Sequence, residues 1–143
     1  MRRVLASLTL LLGFAGAAFA HSALNRFWGE VPVDMLLSGD VLIVKPLVVP
    51  EDVKLTIDAG TVVRFEKSRD GGNRIIIRGE LVAAGTKEKP IRFVPKDGAS
   101  GPWYGIEFAG PGRGRIERCI FEKASAGLHD PHGRVQVRDV SFR

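Results

Sequence analysis

The chain repeats one short phrase, in which an apolar strand, a turn containing Gly and a second apolar strand follow one another. The phrase is clearest in residues 55–65, and it returns with drift in residues 75–83. Shorter variants end at Phe93, Phe121 and Phe142. A unit this short cannot bury an apolar face alone, so the repeat predicts a solenoid in which successive strands stack on one another.

The intervals between equivalent positions favour a solenoid over a β-sandwich. Phe121 precedes Phe142 by 21 residues, whereas Phe65, Phe93 and Phe121 follow one another at intervals of 28. We interpret the shorter interval as a bare coil of roughly three short strands and three turns, and the longer one as a coil with an inserted loop. The candidate loops are residues 67–73 and 96–102.

Short apolar runs bounded by Gly, Pro, Asp or Asn predict strands along most of the chain. The predicted strands are residues 41–44, 47–49, 54–57, 62–65, 74–77, 81–83, 91–94, 105–108, 115–121, 135–137 and 140–142. Outside residues 1–20, no window keeps a helical apolar period over several turns. The sequence therefore predicts an all-β protein with almost no helix.

Alternation within the strands predicts which side chains face inward. In residues 63–65 and 91–93 the two outer residues are apolar and the middle one is Arg, as the two-residue period of a strand requires. The predicted inward ladder consists of Val63, Phe65, Ile91, Phe93, Cys119, Phe121, Val140 and Phe142. A second register, in which residues 62–65 stack on residues 81–83, stays open at this point.

Residues 1–20 have the features of an export signal. Arg2 and Arg3 form its charged start, residues 4–14 are apolar, and residues 18–20 fit the small-x-small cleavage rule. The apolar stretch is too short for a membrane span. We predict cleavage between Ala20 and His21, and a secreted or periplasmic protein.

Cleavage leaves a chain of modest size and charge. Residues 21–38 are predicted to form an N-terminal cap, and residues 39–143 a single solenoid domain. The mature chain has 19 Lys or Arg and 16 Asp or Glu, a net charge of +3. This charge is too small and too dispersed to predict a nucleic-acid partner, which usually needs a clustered basic stripe. Cys119 is the single cysteine, and we interpret it as a small buried hydrophobe.

Several phrases in a fixed order resemble the right-handed parallel β-helix repeat proteins of bacterial envelopes. They are residues 39–41, 55–65, 79–86, 90–93 and 103–106. The resemblance implies a right-handed parallel β-helix of about four to five coils, similar in architecture to pectate lyases. Two features depart from it: Tyr104, where relatives more often have a small residue, and the end of the chain after Phe142, which a truncated member would show.

Outward residues on the predicted strands indicate a ligand surface. Arg64 and Arg92 are expected in line along one face, with Trp103 and Tyr104 as stacking planes. Sugar polymers bind to aromatic planes with polar groups between them, and anionic polymers also attract Arg. These four residues are the candidate polysaccharide contacts, but a solvated face in which Glu residues are interspersed is the favoured interpretation.

No metal or cofactor is predicted. His129, Asp130 and His132 are the ligand types that transition metals bind, but Pro131 and Gly133 at that spacing also describe a plain tight turn. A calcium-dependent lyase would need clustered carboxylates, whereas those of this chain are spread mostly singly in or beside turns. Catalytic residues stay unassigned.

These observations favour an exported, non-enzymatic β-helix module that is a scaffold or binds envelope or extracellular polysaccharide. Two alternatives stay open: a polysaccharide lyase or glycoside hydrolase, whose catalytic coils a truncated chain would lack, and an adhesin-like segment that contacts another protein. Only Arg143 follows Phe142, so the sequence provides no cover for the last coil. We therefore expect the C-terminal coil to continue in a longer protein or to associate end to end with another molecule.

Overall fold

The computed structural model describes residues 25–70, 72–98 and 103–143. Within these ranges every regular element is a β-strand and there is no helix, which confirms the all-β prediction. The predicted signal peptide at residues 1–20 and its cleavage site lie outside the described residues. The strands are β1 (Asn25–Glu30), β2 (Met35–Leu37), β3 (Asp40–Val49), β4 (Lys54–Ile57), β5 (Val62–Phe65), β6 (Arg74–Ile77), β7 (Glu80–Ala84), β8 (Ile91–Pro95), β9 (Trp103–Phe108), β10 (Arg113–Glu117), β11 (Cys119–Phe121), β12 (Ala124–His129), β13 (Val135–Arg138) and β14 (Ser141–Phe142).

The strands form where β-branched and other apolar residues alternate with polar ones. In β4, Leu55 and Ile57 are buried while Lys54 and Thr56 are half-buried. Strands β5 and β6 have the same alternation of half-buried and buried positions. One side of each of these strands therefore contributes to the core, and the other side forms the outer surface.

All pairings between the described strands are parallel, and after β3 each strand pairs with the strand three elements further along the chain. One sheet has nine strands, in the order β12-β9-β6-β3-β5-β8-β11-β14, with β1 beside β3. The other has five strands, in the order β13-β10-β7-β4-β2. Strands that follow one another along the chain are therefore not paired with each other.

Three rows of strands follow from this pairing. The first row contains residues 40–43 of β3, then β5, β8, β11 and β14. The second row contains residues 47–49 of β3, then β6, β9 and β12. The third row is the five-stranded sheet. Strand β3 therefore belongs to two rows at once, and it makes them a single sheet.

The core contains a stack of aromatic rings. Phe93 and Phe121 are 0% and 1% exposed, and their ring centroids lie 4.7 Å apart. Phe142 continues the stack with its centroid 5.0 Å from that of Phe121. These distances match the strand spacing of about 4.8 Å, as expected for equivalent residues on neighbouring strands. The predicted ladder is confirmed here, because Cys119 pairs with Ile91, and Phe121 with both Phe93 and Phe142.

The register at the start of this ladder differs from the prediction. Val63 pairs with Phe93, and Phe65 pairs with Pro95, two residues further along β8 than expected. The ring of Phe65 stacks instead on Trp103, with centroids 3.9 Å apart. The alternative register is wrong as well, because residues 81–83 pair with residues 55–57 of β4.

Several strand boundaries also differ from the prediction. Residues 115–121 form two strands, because Arg118 has a φ of 51° and turns the chain between the third and first rows. Residues 41–44 and 47–49 lie in the single strand β3. Strands β1 and β2 fall in the segment predicted as a cap, and Trp28 on β1 is 59% exposed. Strand β12 was not predicted.

Four of the five turns that lead from the third row to the first contain a residue in the left-handed backbone conformation; the turn between β7 and β8 does not. Gly39 and Gly60 have φ values of 77° and 81° at this corner, and Arg118 and Asp139 have 51° and 53°. Glycine adopts this region without steric cost, whereas other residues are strained there. At the last of these corners the Arg118 guanidinium lies 3.3 Å from the Asp139 carboxylate. In the later turns, Arg118 and Asp139 thus adopt the left-handed conformation that glycine adopts in the earlier ones.

Candidate functional site

The outer surface of the third row carries a group of cationic side chains. Lys54, Arg113, Arg115 and Arg134 line a depression of about 350 Å³, together with Glu80, Val82, Gly114 and Gln136. We call these four cations the basic surface. Within the lining of this depression they outnumber the single carboxylate four to one.

Strand pairing places these side chains side by side. Lys54 pairs with Glu80, and Glu80 pairs with Arg113, so three charged residues follow one another across β4, β7 and β10. Arg115, two residues after Arg113, lies in the next line of outward positions, between Val82 and Gln136. Because neighbouring parallel strands lie about 4.8 Å apart, the surface presents charges at strand-spaced intervals.

Local ion pairs neutralise this charge only in part. The Arg113 guanidinium lies 3.3 Å from Glu80, and Glu117 accepts Arg115 at 3.1 Å and Arg138 at 3.7 Å. The Arg134 guanidinium donates from Nη1 to the carbonyl oxygen of Gly110 at 3.4 Å, and among the described residues it has no ion-pair partner, although the Asp130 carboxylate accepts the Arg134 backbone N–H at 3.2 Å. In the part of the chain that the structure describes, the Lys54 ammonium has no ion-pair partner. Five cations therefore share two ion-paired carboxylates, and the carboxylates of Asp34 and Asp130 also lie beside this surface, where they accept backbone N–H groups of Lys54 and Arg134.

Arg64 and Arg92, the predicted ligand residues, also lie together. They line a smaller depression of about 260 Å³ on the first row, with Val94, Pro95 and Glu122 among its other residues. Arg64 Nε lies 3.1 Å from the Asp40 carboxylate, and Arg92 is paired with Glu122. Each guanidinium already has a carboxylate partner, so this surface attracts an anion less strongly than the basic surface does.

Trp103 and Tyr104 do not join the two arginines. Trp103 is 1% exposed, and its indole N–H donates to the carbonyl oxygen of Glu122 at 2.9 Å. The ring therefore belongs to the aromatic core, which differs from the outward position we expected. Tyr104 lies on the second row, where the Arg74 guanidinium covers its ring at 3.9 Å and also binds Glu107 at 2.7 Å.

The residues weighed as metal ligands form a turn. The two carboxylate oxygens of Asp130 accept the backbone N–H groups of Arg134 at 3.2 Å and Val135 at 3.1 Å. His129 and His132 are exposed beside this turn. Among the described residues, no group of three or more His, Cys, Asp or Glu is placed to hold a metal ion.

Cys119 is part of the core and is chemically shielded. Its side chain is 1% exposed, and the thiol donates to the carbonyl oxygens of Glu117 at 3.3 Å and Ala83 at 3.5 Å. Burial raises the pKa of the Cys119 thiol to about 12. The thiol is thus held in its protonated form, which is a poor nucleophile.

A third depression, of about 520 Å³, contains two carboxylates. Asp58 and Glu88 line it from the turns after β4 and β7, with Lys89 and Arg92 beside them. Both carboxylates are exposed. Most glycoside hydrolases use two carboxylates, and this depression has one from each of two turns.

The basic surface was not predicted from the sequence, because the predicted strand began at residue 115 and left Arg113 outside it. The structure extends β10 from Arg113 to Glu117, with outward charges at Arg113, Arg115 and Glu117. This two-residue period of charges was present in the sequence, and it would have indicated a strand with a charged outer side.

Comparisons with known proteins gave no match. A scan against protein-family models, a search of curated proteins and a search of solved structures each found nothing similar. In the described ranges, no helix is long and apolar enough to cross a membrane. The proposed function therefore rests on the fold and the charged surfaces alone.

Proposed function

We propose that this protein is an exported, non-enzymatic right-handed parallel β-helix of about four to five coils that binds an anionic polysaccharide. The pairing of each strand with the third strand after it supports the helical coil. The basic surface supports the ligand class. The Arg64 and Arg92 pair on the first row forms a second, weaker contact area in this proposal.

The excess of cations on the third row is the observation that carries the proposal. Arginine guanidinium groups bind carboxylates and sulfates through paired N–H donors, and three of the four cations of the basic surface are arginines. A polymer presents many anionic groups on one chain, so several weak contacts add up through high effective concentration. A flat row of strands with outward charges suits such a ligand better than a closed cavity does.

A sedimentation or affinity-gel experiment tests this proposal with polygalacturonate as the anionic polymer and dextran as the neutral one. The protein should bind polygalacturonate at low ionic strength, bind less as NaCl rises, and leave dextran unbound, because salt screens exposed charges. The triple variant Lys54→Gln, Arg115→Gln, Arg134→Gln should lose most of this binding.

A matched variant separates a specific surface from net charge. Lys67→Gln, Arg69→Gln, Lys87→Gln removes the same number of positive charges from exposed positions outside the three depressions. It should keep most of the binding. Equal losses in the two triple variants, or equal binding of dextran and polygalacturonate, would refute the basic surface as the binding site.

The second candidate is a glycoside hydrolase, favoured by the presence of Asp58 and Glu88 in one depression. Incubation with a panel of polysaccharides followed by a reducing-end assay tests it. Product release that both Asp58→Asn and Glu88→Gln abolish would replace the binding proposal with an enzymatic one. Both variants change exposed turn residues, so they should leave folding intact.

A further inference from the structure

Three cations of the basic surface and one carboxylate lie in one line across the third row. Lys54 pairs with Glu80, and Glu80 pairs with Arg113. Arg134 comes next in the line, because it directly precedes the residue that pairs with Gly114, and its carbonyl oxygen accepts the Gly114 N–H at 3.3 Å. In strand order the line therefore presents a cation, a carboxylate and two cations.

A carboxylate lies on each side of Lys54 in this line. On one side, the Glu80 carboxylate binds Arg113 at 3.3 Å, and 32% of the Glu80 side chain is exposed. On the other side, the Asp34 carboxylate accepts the backbone N–H of Lys54 at 3.0 Å. Asp34 directly precedes β2. Carboxylates and cations therefore alternate from β2 through β4 and β7 to β10.

This alternation sets the interval between positions that accept an anion. Neighbouring parallel strands lie about 4.8 Å apart, so Lys54 and Arg113 are separated by two strand intervals, about 9.6 Å. A ligand anion opposite Glu80 would meet a like charge, which is unfavourable. One sugar of an extended polymer is about as long as one strand interval, so the line matches anions on every second sugar better than anions on every sugar.

We infer that the preferred ligand of the basic surface is a polysaccharide with an anionic group on every second sugar, and that Glu80 determines this preference. The polymer lies across the strands, with its anionic groups on Lys54 and Arg113 and an uncharged sugar opposite Glu80. A like charge that rejects the wrong ligand is an effective source of specificity. This inference rests on the proposed binding of an anionic polysaccharide and names the class of that polymer.

Isothermal titration calorimetry with hyaluronan and polygalacturonate, compared at equal carboxylate concentration, tests the preference. Hyaluronan has one carboxylate on every second sugar, whereas polygalacturonate has one on every sugar. Charge attraction alone favours the more densely charged polygalacturonate, so a preference for hyaluronan requires a match in spacing. We expect the dissociation constant per carboxylate to be about fivefold lower for hyaluronan.

Substitution of Glu80 tests its role. Glu80→Gln removes the carboxylate and frees Arg113, so it should strengthen the binding of polygalacturonate about fivefold more than that of hyaluronan. Glu80→Lys makes the whole line from β4 onward cationic and should reverse the preference. Circular dichroism should show an unchanged strand signal for both variants, because the side chain points outward and is partly exposed.

Glu66 provides the matched control. Its carboxylate lies 3.4 Å from Lys96 and its side chain is 34% exposed, close to the values for Glu80, but it lies outside the depression of the basic surface. Glu66→Gln also removes one carboxylate and frees one cation. It should leave the ratio of the two affinities unchanged.

The outcomes separate this inference from the proposed function. Polygalacturonate that binds as tightly as hyaluronan or more tightly, or equal effects of Glu80→Gln and Glu66→Gln on the ratio, would overturn the spacing preference and leave anionic binding in place. If neither polymer binds, or if the triple variant of Lys54, Arg115 and Arg134 binds both polymers as the natural protein does, both proposals are wrong.

Discussion

At the scale of single residues, the aromatic stack contains several of the largest buried side chains of the core. Phe93 is fully buried between Val63 and Phe121, whereas Phe142 stacks on Phe121 but is 55% exposed. We expect Phe93→Ala to lower the free energy of unfolding by about 3 to 5 kcal/mol, the range for aromatic deletions in cores. Phe142→Ala should cost no more than about 1.5 kcal/mol, because half of the side chain already meets water. Urea denaturation measures both, and similar losses would contradict this difference in burial.

Cys119 links stability to alkaline pH. The folded state holds its thiol protonated with a pKa of about 12, whereas the unfolded thiol ionises near its ordinary value of 9.0. The protein therefore keeps this contribution below pH 9 and loses it as pH rises from 9 towards 12, because the unfolded state releases the proton first. Denaturation at pH 8 and pH 10.5 should show a steeper loss for the natural protein than for Cys119→Ala. Equal slopes, or thiol labelling of the folded protein at pH 8, would show that the side chain is accessible.

At the scale of elements, the corners between strands set where each row begins. Lys123, between β11 and β12, has a φ of 58° although it is not glycine. Left-handed backbone costs a residue with a Cβ about 1 kcal/mol or more, so Lys123→Gly should be about 1 kcal/mol more stable than Lys123→Ala.

Lys87 provides the matched control for this corner. It is exposed, and φ is not positive there. Lys87→Gly should therefore be less stable than Lys87→Ala by roughly 0.5 kcal/mol, because glycine loses more entropy on folding. The same order of stability at both positions would mean that Lys123 does not adopt the left-handed corner in solution.

The elements also show which parts of the fold the sequence could predict. Strands such as β4 and β6 were located to the residue because an apolar period of two is a local property. The two-residue offset of the pairing between β5 and β8 was not predictable from the sequence. It depends on the extension of β8 to Pro95 and on the packing of Trp103 against Phe65, which are not local properties of either strand. The ring of Tyr104 was predicted to be available for stacking on a ligand for a similar reason. The Arg74 guanidinium that covers this ring comes from a strand 30 residues earlier in the chain, which the local sequence does not indicate.

At the scale of the whole molecule, the three rows enclose one continuous core. No row can lose its partners without exposing the inward side chains of the other two, so unfolding should be cooperative. Far-ultraviolet circular dichroism of the purified protein should show strand and almost no helix, and thermal unfolding should give a single transition that coincides with the one seen by tryptophan fluorescence. A helical content above about a fifth would be incompatible with these rows.

The export prediction belongs to the same scale. Intact-mass spectrometry of the protein recovered from the periplasm or medium should give a chain that begins at His21, because residues 18–20 satisfy the cleavage rule. Substituting Ala20 with a bulky residue should block processing. Unprocessed protein retained in the cytoplasm would contradict the export signal.

The central claim is the parallel register of the rows, and nuclear Overhauser contacts between β8 and β11 test it most directly. In the structure Ile91 pairs with Cys119, and Phe93 with Phe121. Isotope-labelled protein should therefore show backbone contacts between residues 91 and 119 and between residues 93 and 121, with further contacts from Phe121 to Phe142. Contacts that join Ile91 to Phe121 and Phe93 to Cys119 would indicate antiparallel pairing and would contradict the account.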